Sequence, residues 1–237
     1  MNNITLTREE LILSSRLSEC CSSGPDSELV AFTHKKICEG GKKSATNLYL
    51  HNATSMRTTQ LTHNESGAVS NPVFAQDLPG AEDALLYMKS SDSQVWALPL
   101  GGGESSKVSS FPLPVESFKV FAGTGTKVWM LLVMGVYPGC SPAETVARDA
   151  AKEGGSSGME FTQLMVRHWD TWNCYEKRNH LFLCQLQVRA DGMLQAPAEG
   201  LFDLMLHWES DCPAKVRVRA LCHWASDEAV YYRRCLC

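Results

Sequence analysis

Short runs of alternating apolar and polar residues recur along this chain, and the alternation predicts β-strands separated by turns. Three segments contain a strand, a polar turn and a second short strand. In the first of them Leu48 and Leu50 alternate with more polar neighbours, as residues of half-buried strands do. The three segments are NLYLHNATSMRTTQLT (47–62), QVWALPLGGGESSKVS (94–109) and HLFLCQLQVRADGMLQAP (180–197).

A second repeated pattern precedes these segments. A turn containing Gly, Pro, Asp or Glu leads into a short apolar strand that ends in an aromatic residue or Met. The first intervals between its copies are close to the roughly 40–50 residues that one four-stranded propeller blade requires. The copies are SGPDSELVAF (23–32), LPGAEDALLY (78–87), FAGTGTKVWM (121–130) and HWASDEAVYY (223–232).

The two patterns together predict an all-β fold, namely a partial β-propeller of about three blades with the start of a fourth and with short helical insertions. Closed propellers typically have four to eight blades, so the pattern predicts an incomplete ring. We divide the chain into a helical lead-in at 1–20 and the partial propeller at 21–237. The long last interval between repeats requires an insertion, and we place its helical part around 141–155.

The sequence SPAETVARDAAKE (141–153) predicts the helix of this insertion. Ser141 is a good N-cap, Pro142 suits the first helical position, and Glu144 completes a capping box with Ser141. The two glycines that follow at 154–155 are expected to end the helix.

Residues 154–158, GGSSG, match the G-x-S-x-G pattern of the nucleophile elbow in many serine hydrolases. Such an elbow needs a buried strand before the serine and a helix after it. Here the glycines follow the predicted helix and precede a predicted strand. We therefore assign Ser156 to a flexible turn and predict no catalytic residue in the chain.

The segment LMVRHWDTWNCYEKRNHLF (164–182) has the densest grouping of aromatic and charged residues. One interpretation is a surface that contacts substrate or another domain, because Arg and Trp support cation–π contacts. The other is a structural hairpin, with LMVRHW and NHLFLCQL as its strands and DTWNCYEKR as the connecting loop. The two are compatible, and the candidate contact residues are Arg167, His168, Trp169 and Asp170.

The charge and the apolar runs argue against nucleic acid and membranes as partners. The chain has 22 basic and 26 acidic residues among 237, a formal net charge of −4, and no dense basic run. Its longest apolar run, 128–137, is about half the length of a membrane span and fits a buried strand. The N-terminus has no signal-peptide pattern, so we expect a cytoplasmic protein.

The cysteines and glycine-rich segments predict neither a metal site nor a cofactor. Ten cysteines are scattered without a C-x-x-C pair, and we expect Cys20 and Cys21, like Cys235 and Cys237, to be free thiols because disulfides between near neighbours are strained. The segment GGGESSK (101–107) follows a strand without opening a helix, so a hairpin turn is favoured over a phosphate loop.

Six segments of the chain carry a resemblance to a known family, and they occur in the family's order. They are LTREELILSSRLSECCSSGPDSELVAF, SQVWALPLGGGESSKVS, VESFKVF, VYPGCSPAETVARDAAKE, LMVRHWDTWNCYEKRNHLF and DLMLHWESDCPAK. The chain resembles the N-terminal β-propeller of serine peptidases of the prolyl oligopeptidase family, in the dipeptidyl-peptidase and acylaminoacyl-peptidase branch. The resemblance extends from about residue 6 to 232, although the Ser-Pro-Asp-Gly turns of the family are altered here at Gly24 and Ser27.

The resemblance implies a function as well as a fold. In the family an α/β-hydrolase domain follows the propeller and carries Ser, Asp and His in that order, and no position of this chain matches those motifs. The chain then corresponds to the substrate-gating part of a serine exopeptidase that hydrolyses short peptides, inactive alone and partnered by the hydrolase domain. The alternative is a truncated, non-catalytic propeller that binds peptides or proteins.

We expect the 237-residue chain to remain unlabelled by a serine-directed fluorophosphonate probe. A hydroxyl without an adjacent base keeps its weak nucleophilicity, and no histidine or acid is assigned to Ser156. Intact-mass spectrometry after incubation measures this directly. Stoichiometric labelling that Ser156→Ala abolishes would contradict the assignment of Ser156 to a turn.

Overall fold

The computed structural model of the chain shows an all-β protein built from consecutive antiparallel sheets. Within the described residues it also has two helices, α1 (Arg8–Leu13) and α2 (Pro142–Glu153). The predicted fold class is therefore confirmed at the level of all-β structure with short helices. The structure describes residues 7–24, 28–37, 43–153, 167–168, 171–172, 176–197 and 199–212.

The first sheet follows α1 and has four strands in the order of the sequence. The strand β1 begins inside the segment that we assigned to the helical lead-in, directly after α1. The strands are β1 (Arg16–Ser22), β2 (Leu29–Ile37), β3 (Ser44–Asn52) and β4 (Arg57–Gln60).

The second sheet repeats this arrangement, again with neighbouring strands antiparallel and in sequence order. The strands β6 and β7 fall on the segments predicted from the repeats, whereas β5 does not. The strands are β5 (Val69–Ala75), β6 (Ala84–Lys89), β7 (Gln94–Pro99) and β8 (Ser106–Lys107).

The third sheet begins with β9 (Ser117–Ala122) and β10 (Val128–Val136), which are antiparallel. After β10 the chain leaves the sheet, forms α2, and reaches two short strands. These are β11 (Arg167–His168) and β12 (Thr171–Trp172), which pair with each other.

The chain then returns to the third sheet as β13 (Arg178–Val188), which pairs with β10 over the full length of that strand. The opposite edge of β13 pairs with β14 (Leu194–Gln195) and β15 (Leu201–Asp203). The sheet thus has the order β9-β10-β13-β14, with β15 also on β13.

One predicted pairing is wrong. The described residues of the segments LMVRHW and NHLFLCQL do not pair with each other, because β11 pairs with β12 while β13 pairs with β10, β14 and β15. Both edges of β13 have partner strands in the third sheet. A strand with both edges paired has no edge left for β11.

The middle sheet is buried on both faces. Successive side chains of a strand point to opposite faces, so neighbouring residues of β6 enter different cores. Leu85 and Tyr87 pack with Leu48 of the first sheet, whereas Leu86 packs with Met130 of the third sheet. All four β6 and β10 side chains named here are at most 1% exposed.

Polar contacts join the first strands of the three sheets at two bulges. The register of strand pairing shifts at Glu19 in β1 and near Asn71 in β5. Both residues have a left-handed backbone, with φ of 37° and 52°. The Asn71 backbone N–H donates to the Glu19 carboxylate at 2.7 Å, and its side-chain amide donates to the Phe118 carbonyl of β9 at 3.1 Å. Asn71 therefore bridges β1 and β9.

The predicted helix of the insertion is confirmed as α2, Pro142–Glu153. Its capping box is also present, with the Ser141 N–H donating to the Glu144 carboxylate at 2.7 Å and the Glu144 N–H donating to Ser141 Oγ at 3.3 Å. Ser156 and the predicted fourth repeat at 223–232 lie outside the described residues. Neither α1 nor α2 is long and apolar enough to span a bilayer.

We predict that Asn71→Ala destabilises the protein more than Asn71→Gly does. Both variants lose the bond to Phe118, about 1 kcal/mol, but alanine keeps a Cβ in the left-handed region, which costs roughly 1–2 kcal/mol relative to glycine. Glycine adopts that conformation without this cost. Urea unfolding of the three proteins measures the difference, and equal midpoints for the two variants would contradict the left-handed conformation at the bulge. A wild-type midpoint in both variants would contradict the bridging role.

Candidate functional site

The insertion, residues 137–177 between β10 and β13, contains all four predicted contact residues. Arg167 and His168 form β11, and the register pairs Arg167 with Trp172 and His168 with Thr171. A two-residue connection therefore joins the strands. Trp169 and Asp170 are that connection and lie outside the described residues, so the contact role of all four residues remains a prediction.

A cluster around Tyr137 holds the beginning of the insertion against its end. The Tyr137 hydroxyl donates to Asp149 of α2 at 3.0 Å. The guanidinium carbon of Arg148 lies 4.1 Å from the Tyr137 ring centroid. The ammonium groups of Lys152 and Lys177 lie 5.0 Å and 5.4 Å from the same centroid. We call these residues, together with Glu176, the Tyr137 cluster.

Ion pairs connect the two ends of the insertion within the Tyr137 cluster. Lys177 is paired with Asp149, and Glu176 is paired with Lys152 and, at 4.0 Å, with Arg148. The three α2 residues are three or four positions apart or adjacent, so they lie on one side of the helix. The pairs join α2 to the two residues that precede β13.

Protonation equilibria reflect this pairing. Burial acts to raise the pKa of Asp149, but hydrogen bonds from Lys177 and Tyr137 outweigh it and hold that pKa below its usual value. The hydrogen bond from Lys152 lowers the pKa of Glu176. Both carboxylates are therefore ionised at neutral pH, and both pairs are fully charged.

A buried histidine that the sequence did not reveal fixes the segment after β15. His180 of β13 is fully buried, with Nδ1 2.8 Å from the Asp203 carboxylate and Nε2 3.0 Å from the Trp208 carbonyl. A carbonyl oxygen can only accept, so Nε2 carries a proton. With both ring nitrogens engaged, His180 has no free nitrogen to act as a base, and its role is to tie β13 to β15.

The described cysteines are free thiols: Cys20, Cys21, Cys140, Cys184 and Cys212. Burial raises the pKa of Cys21, Cys184 and Cys212 to about 11, so these three are protonated near neutral pH and are weak nucleophiles. The free-thiol prediction is confirmed for the first pair, and Cys235 and Cys237 lie outside the described residues. No group of three His, Cys, Asp or Glu side chains suited to a metal occurs in the described part of the chain.

The sequence matches no protein-family model and no curated protein. The structure is similar to that of acylaminoacyl peptidase from Pyrococcus horikoshii, with a TM-score of 0.52 and 12% sequence identity. The alignment covers 84% of this chain and 27% of the peptidase chain. This chain therefore spans roughly a quarter of that peptidase, and at this identity the similarity concerns the fold of the aligned part.

We predict that Tyr137→Leu loosens α2 more than Tyr137→Phe does. Phenylalanine loses the bond to Asp149, about 1 kcal/mol, whereas leucine also loses the ring face that the cations contact, at roughly 0.5–1 kcal/mol for each contact at an exposed site. Amide hydrogen exchange of α2 measures the effect, with the amides of β10 and β13 as the internal reference. Unchanged α2 exchange in both variants would contradict the anchoring role of the Tyr137 cluster.

Proposed function

We propose that this chain is the propeller portion of a serine exopeptidase that hydrolyses short peptides, and that it gates substrate entry without carrying the catalytic residues. The observation that carries the proposal is the fold similarity to acylaminoacyl peptidase. The segments that resemble the peptidase family in the sequence occur in the family's order along the same stretch of chain. Fold and sequence pattern thus favour the same class of protein.

The strand arrangement supports a propeller-type assembly. Three consecutive sheets each consist of an antiparallel meander, and β5 contacts both β1 and β9. Stacked four-stranded blades around a channel bring the strands of neighbouring blades together along the axis. In our proposal β1, β5 and β9 line that axis, and peptides reach the hydrolase domain through it.

The insertion is our candidate for the surface that contacts peptide or the α/β-hydrolase domain. Its base is held by the Tyr137 cluster, and the pair β11–β12 lies between α2 and Glu176 along the chain. Arg167 can bind a carboxylate in a bidentate manner, and Trp169 offers an aromatic face. His168 and Asp170 complete the set with a titratable ring and a carboxylate.

The alternative is a non-catalytic module of the same fold that binds peptides or proteins. The elbow-like motif directly follows α2 instead of a strand, so it supplies a nucleophile in neither of the two functions. A serine in that order lacks the strand-to-helix turn that orients a nucleophile and its oxyanion hole. In this alternative the contact residues are the same but no hydrolase domain takes part.

Peptide binding is tested first, by fluorescence anisotropy. The ligands are labelled peptides of about eight residues and a labelled folded protein that contains the sequence of those peptides. The short peptides should bind the chain and the folded protein should not. Loss of one charge-assisted or aromatic contact corresponds to about tenfold weaker binding, which we expect for Arg167→Ala and Trp169→Ala. Arg57→Ala, on the exposed strand β4, is the control and should bind normally.

Labelling of the native polypeptide separates the two functions. The polypeptide that contains this sequence is captured from its source with an antibody and incubated with a fluorophosphonate probe. A labelled serine outside residues 1–237 supports the exopeptidase, whereas peptide binding without labelling supports the binding module. Equal binding by the chain and by both insertion variants would contradict the assigned contact surface.

A further inference from the structure

A cleft of about 450 Å³ opens between the first and second sheets. This volume is within the range of small-molecule sites in proteins. Its walls combine aromatic and aliphatic side chains with a few polar groups. They include Leu61 and Asn64 after β4, Tyr87 and Lys89 of β6, Trp96 of β7 and Ser105 before β8.

Lys89 enters this cleft without a carboxylate partner among the described residues. Its Nζ lies 3.5 Å from the centroid of the Trp96 ring and 3.5 Å from Ser105 Oγ. Burial lowers the pKa of Lys89, although the nearby Asp92 acts in the opposite direction. The ammonium group is thus partly desolvated and balanced by a ring and a hydroxyl.

Lys107 shares the same ring but differs in its partner. Its Nζ lies 5.9 Å from the Trp96 centroid and forms a salt bridge of 2.9 Å with Asp92. Asp92 also accepts a hydrogen bond from Trp96 Nε1 at 3.3 Å. The hydrogen bonds of the carboxylate thus go to Lys107 and Trp96, and Asp92 acts on Lys89 only through space, so Lys89 has no salt bridge to a described residue.

Other polar groups beside Lys89 set the charge that the cleft can accept. Tyr87 is 1% exposed, and burial raises its pKa, whereas a hydrogen bond with Ser105 lowers it. Ser105 therefore donates to the Tyr87 oxygen while its own oxygen accepts from the Lys89 ammonium at 3.5 Å. The carboxylate of the exposed Glu104 also lines the cleft and repels negative charge. With Lys89 as the lysine of the lining, the cleft therefore suits a ligand with one negative charge better than a doubly charged phosphate.

We propose that this cleft binds a small carboxylate with an apolar body, with Lys89 as its charge partner and the Trp96 ring against its apolar part. Leu61 and Leu98 extend the apolar wall beside the ring. A free N-acyl amino acid and the C-terminus of a peptide share this chemistry. The proposal does not depend on the function proposed above, because no described residue of the insertion lines the cleft.

The test is a titration followed by amide chemical shifts in nuclear magnetic resonance spectra. The probes are N-acetyl-leucine, the tripeptide Ala-Ala-Leu with a free carboxylate, and N-acetyl-leucine amide as the uncharged control. We expect saturable shifts around the cleft with a Kd on the order of 1 mM for at least one of the acids, and none with the amide. The acid that binds more tightly shows whether the carboxylate comes from an N-acyl amino acid or from the C-terminus of a peptide.

Matched lysine variants decide whether Lys89 is the partner. Lys89→Met should weaken binding of the acid at least about tenfold. Lys89→Arg should retain binding, since lysine and arginine can both pair with a carboxylate. Lys127→Met, which removes an exposed lysine that does not line the cleft, should bind within about threefold of the wild type. If Lys89→Met does not fold, comparing the binding of the acid and of the amide to the wild type and to Lys89→Arg still shows whether the cleft requires a carboxylate.

Three results would overturn the proposal. The first is no saturable shift with either acid, and the second is equal binding of acid and amide. The third is an equal loss in Lys89→Met and Lys127→Met, which would make the effect a general one of positive charge on the protein.

Discussion

The burial of both faces of the second sheet is the constraint on which the rest of this structure depends. Leu85 and Tyr87 of β6 face one core while Leu86 faces the other, so the second sheet cannot lose either neighbour without exposing apolar side chains. A single meander has two faces and cannot bury them alone. Packing against the first and third sheets resolves this, and it fixes the order of the three sheets along the stack.

That stacking also determines where polar chemistry can occur. At one edge the first strands converge, and there Asn71 satisfies groups of both neighbouring sheets through its bulge. Between the first two sheets, beyond the buried Tyr87, the cleft leaves Lys89 against Trp96. The base of the insertion is stabilised differently from the sheets. Ion pairs and cation–π contacts with the Tyr137 ring hold it, instead of a large apolar core.

Sequence patterns predicted the elements whose signals are local. Alternation and turn residues predicted strands at the positions of β3, β6, β7, β10 and β13, and the capping box predicted the start of α2. The same local reasoning failed for the aromatic segment. There the alternation of β11 and β13 suggested one hairpin, but pairing is a competition between strands, and the long apolar β10 matches β13 over more residues than β11 can.

The sequence by itself determined the strand and helix positions, because side-chain periodicity and capping act between residues a few positions apart. Only the tertiary structure decided which groups meet across long separations: His180 with Asp203 and Trp208, Tyr137 with Lys177, and Asn71 with Glu19 and Phe118. The cleft around Lys89 belongs to the same class. Such contacts depend on how whole sheets pack, and a single sequence contains no local signal for that, since many polar residues could occupy the same strand positions.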